Sequence, residues 1–177
     1  MAKHSGRCLC GAVTYTVSNA DEHFHVCHCG MCRRWSGSPL MVVRAEGVEF
    51  SGTENFVRFK SSEWAERGFC AKCGSNLGYF LLPANQSFIT LGSFDDSSAF
   101  TLGSEIFVDH KPASYAFAGE HGKMTEAAVG RNLFRHFLGR IEIRPTRLRS
   151  RPSRSARGGI AHASRRFLSL PRGAIQP

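Results

Sequence analysis

From Gly6 to Phe117, apolar and polar residues alternate in short runs: Ala12-Val-Thr-Tyr-Thr-Val17, Leu40-Met-Val-Val-Arg44, Val48-Glu-Phe50, Phe56-Val-Arg-Phe59, Leu77-Gly-Tyr-Phe-Leu-Leu82 and Ser87-Phe-Ile-Thr-Leu91. Side chains on a strand point alternately to opposite faces, so a period of two in β-branched and aromatic residues half-buries a sheet. Gly, Asn, Ser and Pro between the runs supply turns. The pattern predicts a mainly β domain.

Helical periodicity is weak in this region. A short helical turn is predicted after Cys29, through Met31, Arg33 and Arg34. A second helix is predicted from Thr125, a good N-cap residue followed by Glu126, through Ala127, Ala128, Val129, Leu133, Phe134 and Phe137. Past Arg140 the chain is rich in Arg, Ser, Pro and Gly and poor in apolar residues, a composition that cannot bury enough surface to offset its ordering entropy. The expected organisation is a domain over 4–125, a helix over 126–140 and a disordered Arg-rich tail over 141–177.

The net charge of +9 is local in origin. Residues 131–177 hold twelve arginines and one acid, Glu142, whereas residues 1–130 hold eleven Lys or Arg and thirteen acids. The body is therefore slightly acidic, and nucleic-acid binding is expected only as weak, salt-sensitive contact through the tail. No apolar run approaches the roughly 18 residues needed to span a membrane, and the segment Met1 to Arg7 leads into no signal-like apolar stretch. A cytoplasmic protein is expected.

Seven cysteines fall into three sets: Cys8 with Cys10, Cys27 with Cys29 and Cys32, and Cys70 with Cys73. An odd, clustered count argues for reduced thiols and metal binding over a disulfide framework. Cys70-Ala-Lys-Cys73-Gly74 has knuckle spacing, and Cys8-Leu-Cys10 places two sulfurs on one side if the segment is extended. Together these four predict a closed, structural zinc site. Cys27, Cys29 and Cys32 then form a three-thiolate set. It is either an open zinc site for chemistry or one closed by His23, His25 or His28, and His28, between two ligands, is expected to point away. Arg33 can offset thiolate charge or hold an anion, and Trp35 can line the approach; both have alternative roles as an ordinary surface charge and a rim aromatic. His110, in Asp109-His-Lys111, is expected at the surface.

The motifs Gly6-Arg-Cys8-Leu-Cys10-Gly11, Cys27-His-Cys29-x-x-Cys32-Arg-Arg-Trp35, Phe69-Cys70-x-x-Cys73-Gly74 and Ile106-Phe-Val-Asp-His-Lys-Pro112 resemble the glutathione-dependent formaldehyde-activating enzyme and centromere protein V family. The resemblance runs from His4 to Thr125. It implies an Mss4-like β-sheet fold with two zinc ions per chain. Cys8, Cys10, Cys70 and Cys73 would hold the structural ion, and Cys27, Cys29 and Cys32 the catalytic one. It also implies a carbon–sulfur lyase acting on a thiol adduct, with glutathione as the small-molecule thiol and formaldehyde as its partner. The alternative is a non-catalytic, zinc-stabilised binding module of the same architecture.

Overall fold

The computed structural model describes residues 3–131. Among these residues, nine strands form one mixed sheet: β1 (His4–Arg7), β2 (Thr14–Cys27), β3 (Leu40–Ser51), β4 (Phe56–Ser62), β5 (Ala65–Cys70), β6 (Asn76–Leu81), β7 (Gln86–Thr90), β8 (Thr101–Ile106) and β9 (Gly122–Met124). The spatial order is β4-β5-β6-β7-β3-β2-β8-β9, with β1 paired to β2. β8 runs parallel to both β2 and β9, and every other pairing is antiparallel. A short helix, α1 (Gly30–Ser36), follows β2.

The two predicted runs 40–44 and 48–50 are one strand, since β3 keeps its pairing to β2 from Leu40 to Ser51. β2 likewise runs ten residues beyond Val17, through the polar segment 18–23, where it pairs without burying side chains deeply. A register shift between Ala20 and Phe24 divides it. The first half buries Tyr15 and Val17 and pairs with β1, while the second pairs with β8 and delivers Val26 and Cys27 to the interior. β5 and β8 escape the alternation pattern because Ala65-Glu-Arg-Gly and Gly103-Ser-Glu contain no β-branched or aromatic residues.

Two apolar clusters result. The larger joins Val13, Tyr15, Val17, Val43, Leu77 and Ile89 and includes Cys8 and Cys70. The smaller joins Cys27, Cys32, Leu40 and Val42, with Phe88, Ile106 and Phe107 against it. Each cysteine set thus sits at the margin of its own core. Residues 126–131 are helical, and the Thr125 hydroxyl accepts from the Ala128 N–H at 3.4 Å, as a capping residue should. The remainder of the predicted helix and the whole of 141–177 lie outside the described residues.

Gly6 lets β1 lie close over the core. A Cβ there would run into the Tyr15 hydroxyl and the Ser93 carbonyl. Gly6→Ala is expected to cost about 1–3 kcal/mol, read as a lowered Tm. Gly92→Ala, where a Cβ meets nothing, should leave Tm unchanged.

Candidate metal centres

Cys8, Cys10, Cys70 and Cys73 converge, with their sulfurs all within 4.8 Å of one another. Cys8 Sγ lies 3.5 Å from Cys10 Sγ, and Cys10 Sγ lies 3.9 Å from Cys70 Sγ. These separations bracket the edge of a tetrahedron with metal–sulfur bonds of about 2.3 Å, roughly 3.8 Å, and are far too long for disulfides. The cluster therefore fits a tetrahedral ion such as zinc.

Two turns of similar build produce the convergence. Gly11 N–H donates to Cys8 C=O at 3.0 Å, Gly74 N–H donates to Cys70 C=O at 2.8 Å, and both glycines adopt positive φ, 74° and 73°. An extended segment would place Cys8 and Cys10 on one side. The structure puts them on a turn instead, where the left-handed glycine directs both sulfurs inward. Ser75 ties the turns together: its hydroxyl accepts from Leu9 N–H at 3.0 Å and lies 3.3 Å from Cys73 Sγ. Hydrogen bonds from the Ser75 hydroxyl and backbone hold the Cys73 thiol down to about 5.

The second set, Cys27, Cys29 and Cys32, also falls within 4.8 Å, and among the described residues no fourth His, Cys, Asp or Glu joins it. Cys27 ends β2, Cys29 caps α1 by accepting from Cys32 N–H at 3.4 Å, and Cys32 is buried in its first turn. Hydrogen bonds from the Cys27 and Cys32 thiols, aided by the Cys32 N–H and the Arg67 cation, hold Cys29 down to about 2. The same bonds push Cys27 far up. The geometry thus favours thiolate at Cys29 and releases protons when a cation takes all three sulfurs.

The histidines offered as closing ligands are engaged elsewhere. His23 Nδ1 is 2.7 Å from Thr101 Oγ1, and His25 Nδ1 is 2.9 Å from Ser104 Oγ. His28 is fully buried and turns away from the sulfurs, with Nε2 2.7 Å from Glu105 Oε2 and Nδ1 3.0 Å from the Tyr115 hydroxyl. Burial drives the proton affinity of His28 below its usual value, so the neutral ring donates from Nε2 and accepts from Tyr115. Glu105, also fully buried, further accepts from His121 Nε2 at 2.6 Å and Lys111 Nζ at 3.2 Å. Burial pushes the Glu105 carboxyl up, but these donors outweigh it and hold it at about 2. The network anchors the Cys27–Cys29 segment from behind.

Arg33 Nε donates to the His28 carbonyl at 2.9 Å, fixing the backbone between the cysteines. Trp35 is half-buried, parallel to Phe59 at 6.4 Å between centroids and edge-on to Phe69 at 5.6 Å. The third neighbour was not foreseen from sequence. Arg67 on β5 is 3% exposed, and its Nη2 lies 3.6 Å from Cys32 Sγ. A cavity of about 800 Å³ opens beside the four-cysteine turns and Ser36–Met41, but none of the three other cysteines lines it. His110 is at the surface, 3.0 Å from Glu126 Oε2.

Fold and sulfur geometry define a β-sheet protein with a four-thiol and a three-thiol centre, each able to hold a metal. The chain belongs to the glutathione-dependent formaldehyde-activating enzyme family, whose model matches residues 3–110. It is 32% identical over 136 residues to an uncharacterized lyase of Schizosaccharomyces pombe, a match covering 75% of this chain and 98% of the relative. A crystal structure of a Rhodobacter sphaeroides protein is similar at 21% identity and a TM-score of 0.44, over 51% of this chain and 87% of that one. Among the described residues no helix is long and apolar enough to cross a membrane.

Proposed function

We propose that this chain is a zinc-dependent carbon–sulfur lyase. It adds a thiol to a small aldehyde and catalyses the reverse cleavage, with glutathione and formaldehyde as the pair for which the family is named. The observation that carries the reading is the three-thiol cluster at Cys27, Cys29 and Cys32, which no other potential ligand among the described residues completes. In this reading the chain binds two zinc ions. The relative named as a lyase supports the reaction class.

The chemistry is a balanced addition. The thiol sulfur bonds to the carbonyl carbon, the C=O π bond opens, and the thiol proton ends on the new hydroxyl; cleavage reverses each change. Zinc held by these three sulfurs would supply Lewis acidity to a thiol or an aldehyde. Cys27, Cys29 and Cys32 hold that centre, and Arg33 keeps the loop in shape through the His28 carbonyl. Trp35 offers an aromatic wall to the substrate, and the remaining guanidinium nitrogens of Arg33 offer a site for a substrate carboxylate.

NMR exchange spectroscopy on glutathione and formaldehyde tests the reading. Zinc-loaded protein should speed exchange between free thiol and hydroxymethyl adduct, and Cys32→Ser should reduce that effect by about 100-fold or more while keeping one zinc per chain. No acceleration by the zinc-loaded wild type would reject the reading. Two equally inert zinc ions, whose chelation unfolds the domain in one step, would instead favour a binding module.

A further inference from the structure

We propose that Arg67 is a substrate-binding residue: one edge of its guanidinium donates to Cys32, and its free edge holds an anionic oxygen carried close to the sulfur of the thiol substrate. This inference deepens the lyase reading and rests on it for the identity of the reaction.

Arg67 is placed by sheet register, facing Phe59 of β4 on one side and Tyr79 of β6 on the other. Its guanidinium carbon lies 5.3 Å from the Tyr79 ring centroid and 5.8 Å from that of Trp35. Among the described residues no carboxylate pairs with it. A buried cation without a carboxylate is costly unless other groups compensate it. Here the compensation comes from aromatic faces and the Cys32 sulfur.

That compensation uses only part of the fork. Nη1 is buried and has no hydrogen-bond partner among the described residues. Because the guanidinium is rigid and planar, Nη1 lies roughly 2 Å from Nη2, which itself reaches Cys32 Sγ. An oxygen a few bonds from a sulfur seated beside the three cysteines would meet this donor once the side chains that now cover Nη1 give way to the substrate. The hydroxymethyl adduct has its oxygen two bonds from sulfur. As the sulfur–carbon bond forms, charge moves onto that oxygen, and a preorganised donor in a dry site stabilises it there without giving up its own proton. Charge balance for the thiolates alone would need only a single positive nitrogen.

The probe is a pair of small thiols on protein whose zinc is replaced by cobalt(II), with affinity read from the thiolate-to-cobalt charge-transfer band. Thioglycolate carries a carboxylate next to its thiol-bearing carbon, whereas ethanethiol carries no oxygen. Wild type should bind thioglycolate about 10- to 100-fold more tightly than ethanethiol. Arg67→Met should abolish the preference, so that the two thiols bind alike, while cobalt stoichiometry stays that of wild type. Arg67→Lys, which keeps the charge and loses the fork, should retain only a few-fold preference, and it carries the comparison if the methionine variant does not fold.

Equal affinities in wild type would overturn the proposal, as would a preference that survives in Arg67→Met. Loss of cobalt from the three-cysteine centre in both variants would also overturn it, leaving Arg67 as a charge balance. A clear thioglycolate preference without any catalysis of adduct formation would leave the Arg67 site standing and remove the lyase reading. Catalysis without the preference would do the reverse.

Discussion

Replacing Cys70 by serine is expected to unfold the domain at ordinary temperature. Cys70 is fully buried at the end of β5, and its sulfur faces Cys10, sixty positions earlier in the chain. A metal held by the four-cysteine centre would clamp the turn ahead of β2 to the turn after β5, and both Cys8 and Cys70 extend the larger core. Structural zinc sites supply folding free energy on the order of 10 kcal/mol, comparable to the entire stability of a domain of this size. Removing one ligand leaves a strained site and a polar hydroxyl in an apolar cluster. Circular dichroism and metal analysis would show loss of cooperative melting together with loss of bound zinc. Cys32→Ser should lose only its own ion and still melt cooperatively, because its cluster is smaller and is also held by β3 and β8. A Cys70→Ser protein with an unchanged Tm would show that the clamp is not what holds the two turns.

The grouping of the cysteines that converge was legible in the sequence because their spacing is a local property. Cys-x-Cys-Gly and Cys-x-x-Cys-Gly each encode their own turn, and the glycine after each pair reports the positive φ that the turn needs. The alternation of apolar residues likewise placed β3, β4, β6 and β7 within a few residues. What alternation could not show was pairing without burial, as in the polar middle of β2, or burial of charge.

Burial of charge is where the surroundings of the second centre were hidden. Arg67, Glu105 and His121 look like ordinary solvated residues in sequence, because their partners come from strands and turns far along the chain. Glu105 meets a histidine 77 positions away, and Arg67 meets a cysteine 35 positions away. Local pattern carries no trace of such compensation. The expected outward turn of His28 was inferable from its place between two ligands, but its anchoring by Glu105 and Tyr115 was not. The one available hint was the isolated acid of Ser104-Glu-Ile106, leading directly into the Phe107-Val-Asp-His-Lys-Pro112 motif.

Glu105→Ala is expected to cost about 3–5 kcal/mol at neutral pH, because it strands Lys111, His28 and His121 in the interior without their shared acceptor. The pH dependence identifies the mechanism. The folded Glu105 carboxyl is held at about 2 against an ordinary 4.5, so an unfolded chain takes up its proton first as acid is added. The resulting stability is complete above pH 4.5 and is lost as pH falls from there towards 2. His28 acts in the same direction from a higher pH. Burial lowers its affinity below the usual 6.5, so protons favour the unfolded chain once pH drops under that value. Urea unfolding of wild type and Glu105→Ala at several pH values separates this from metal loss, since both proteins shed metal in acid. The stability difference between them should narrow below pH 4.5. A difference that stays constant with pH would mean that Glu105 acts through shape alone. The variant that folds should also bind the metal of the three-cysteine centre about 10- to 100-fold more weakly, because the ring that anchors the Cys27–Cys29 segment has lost its acceptor.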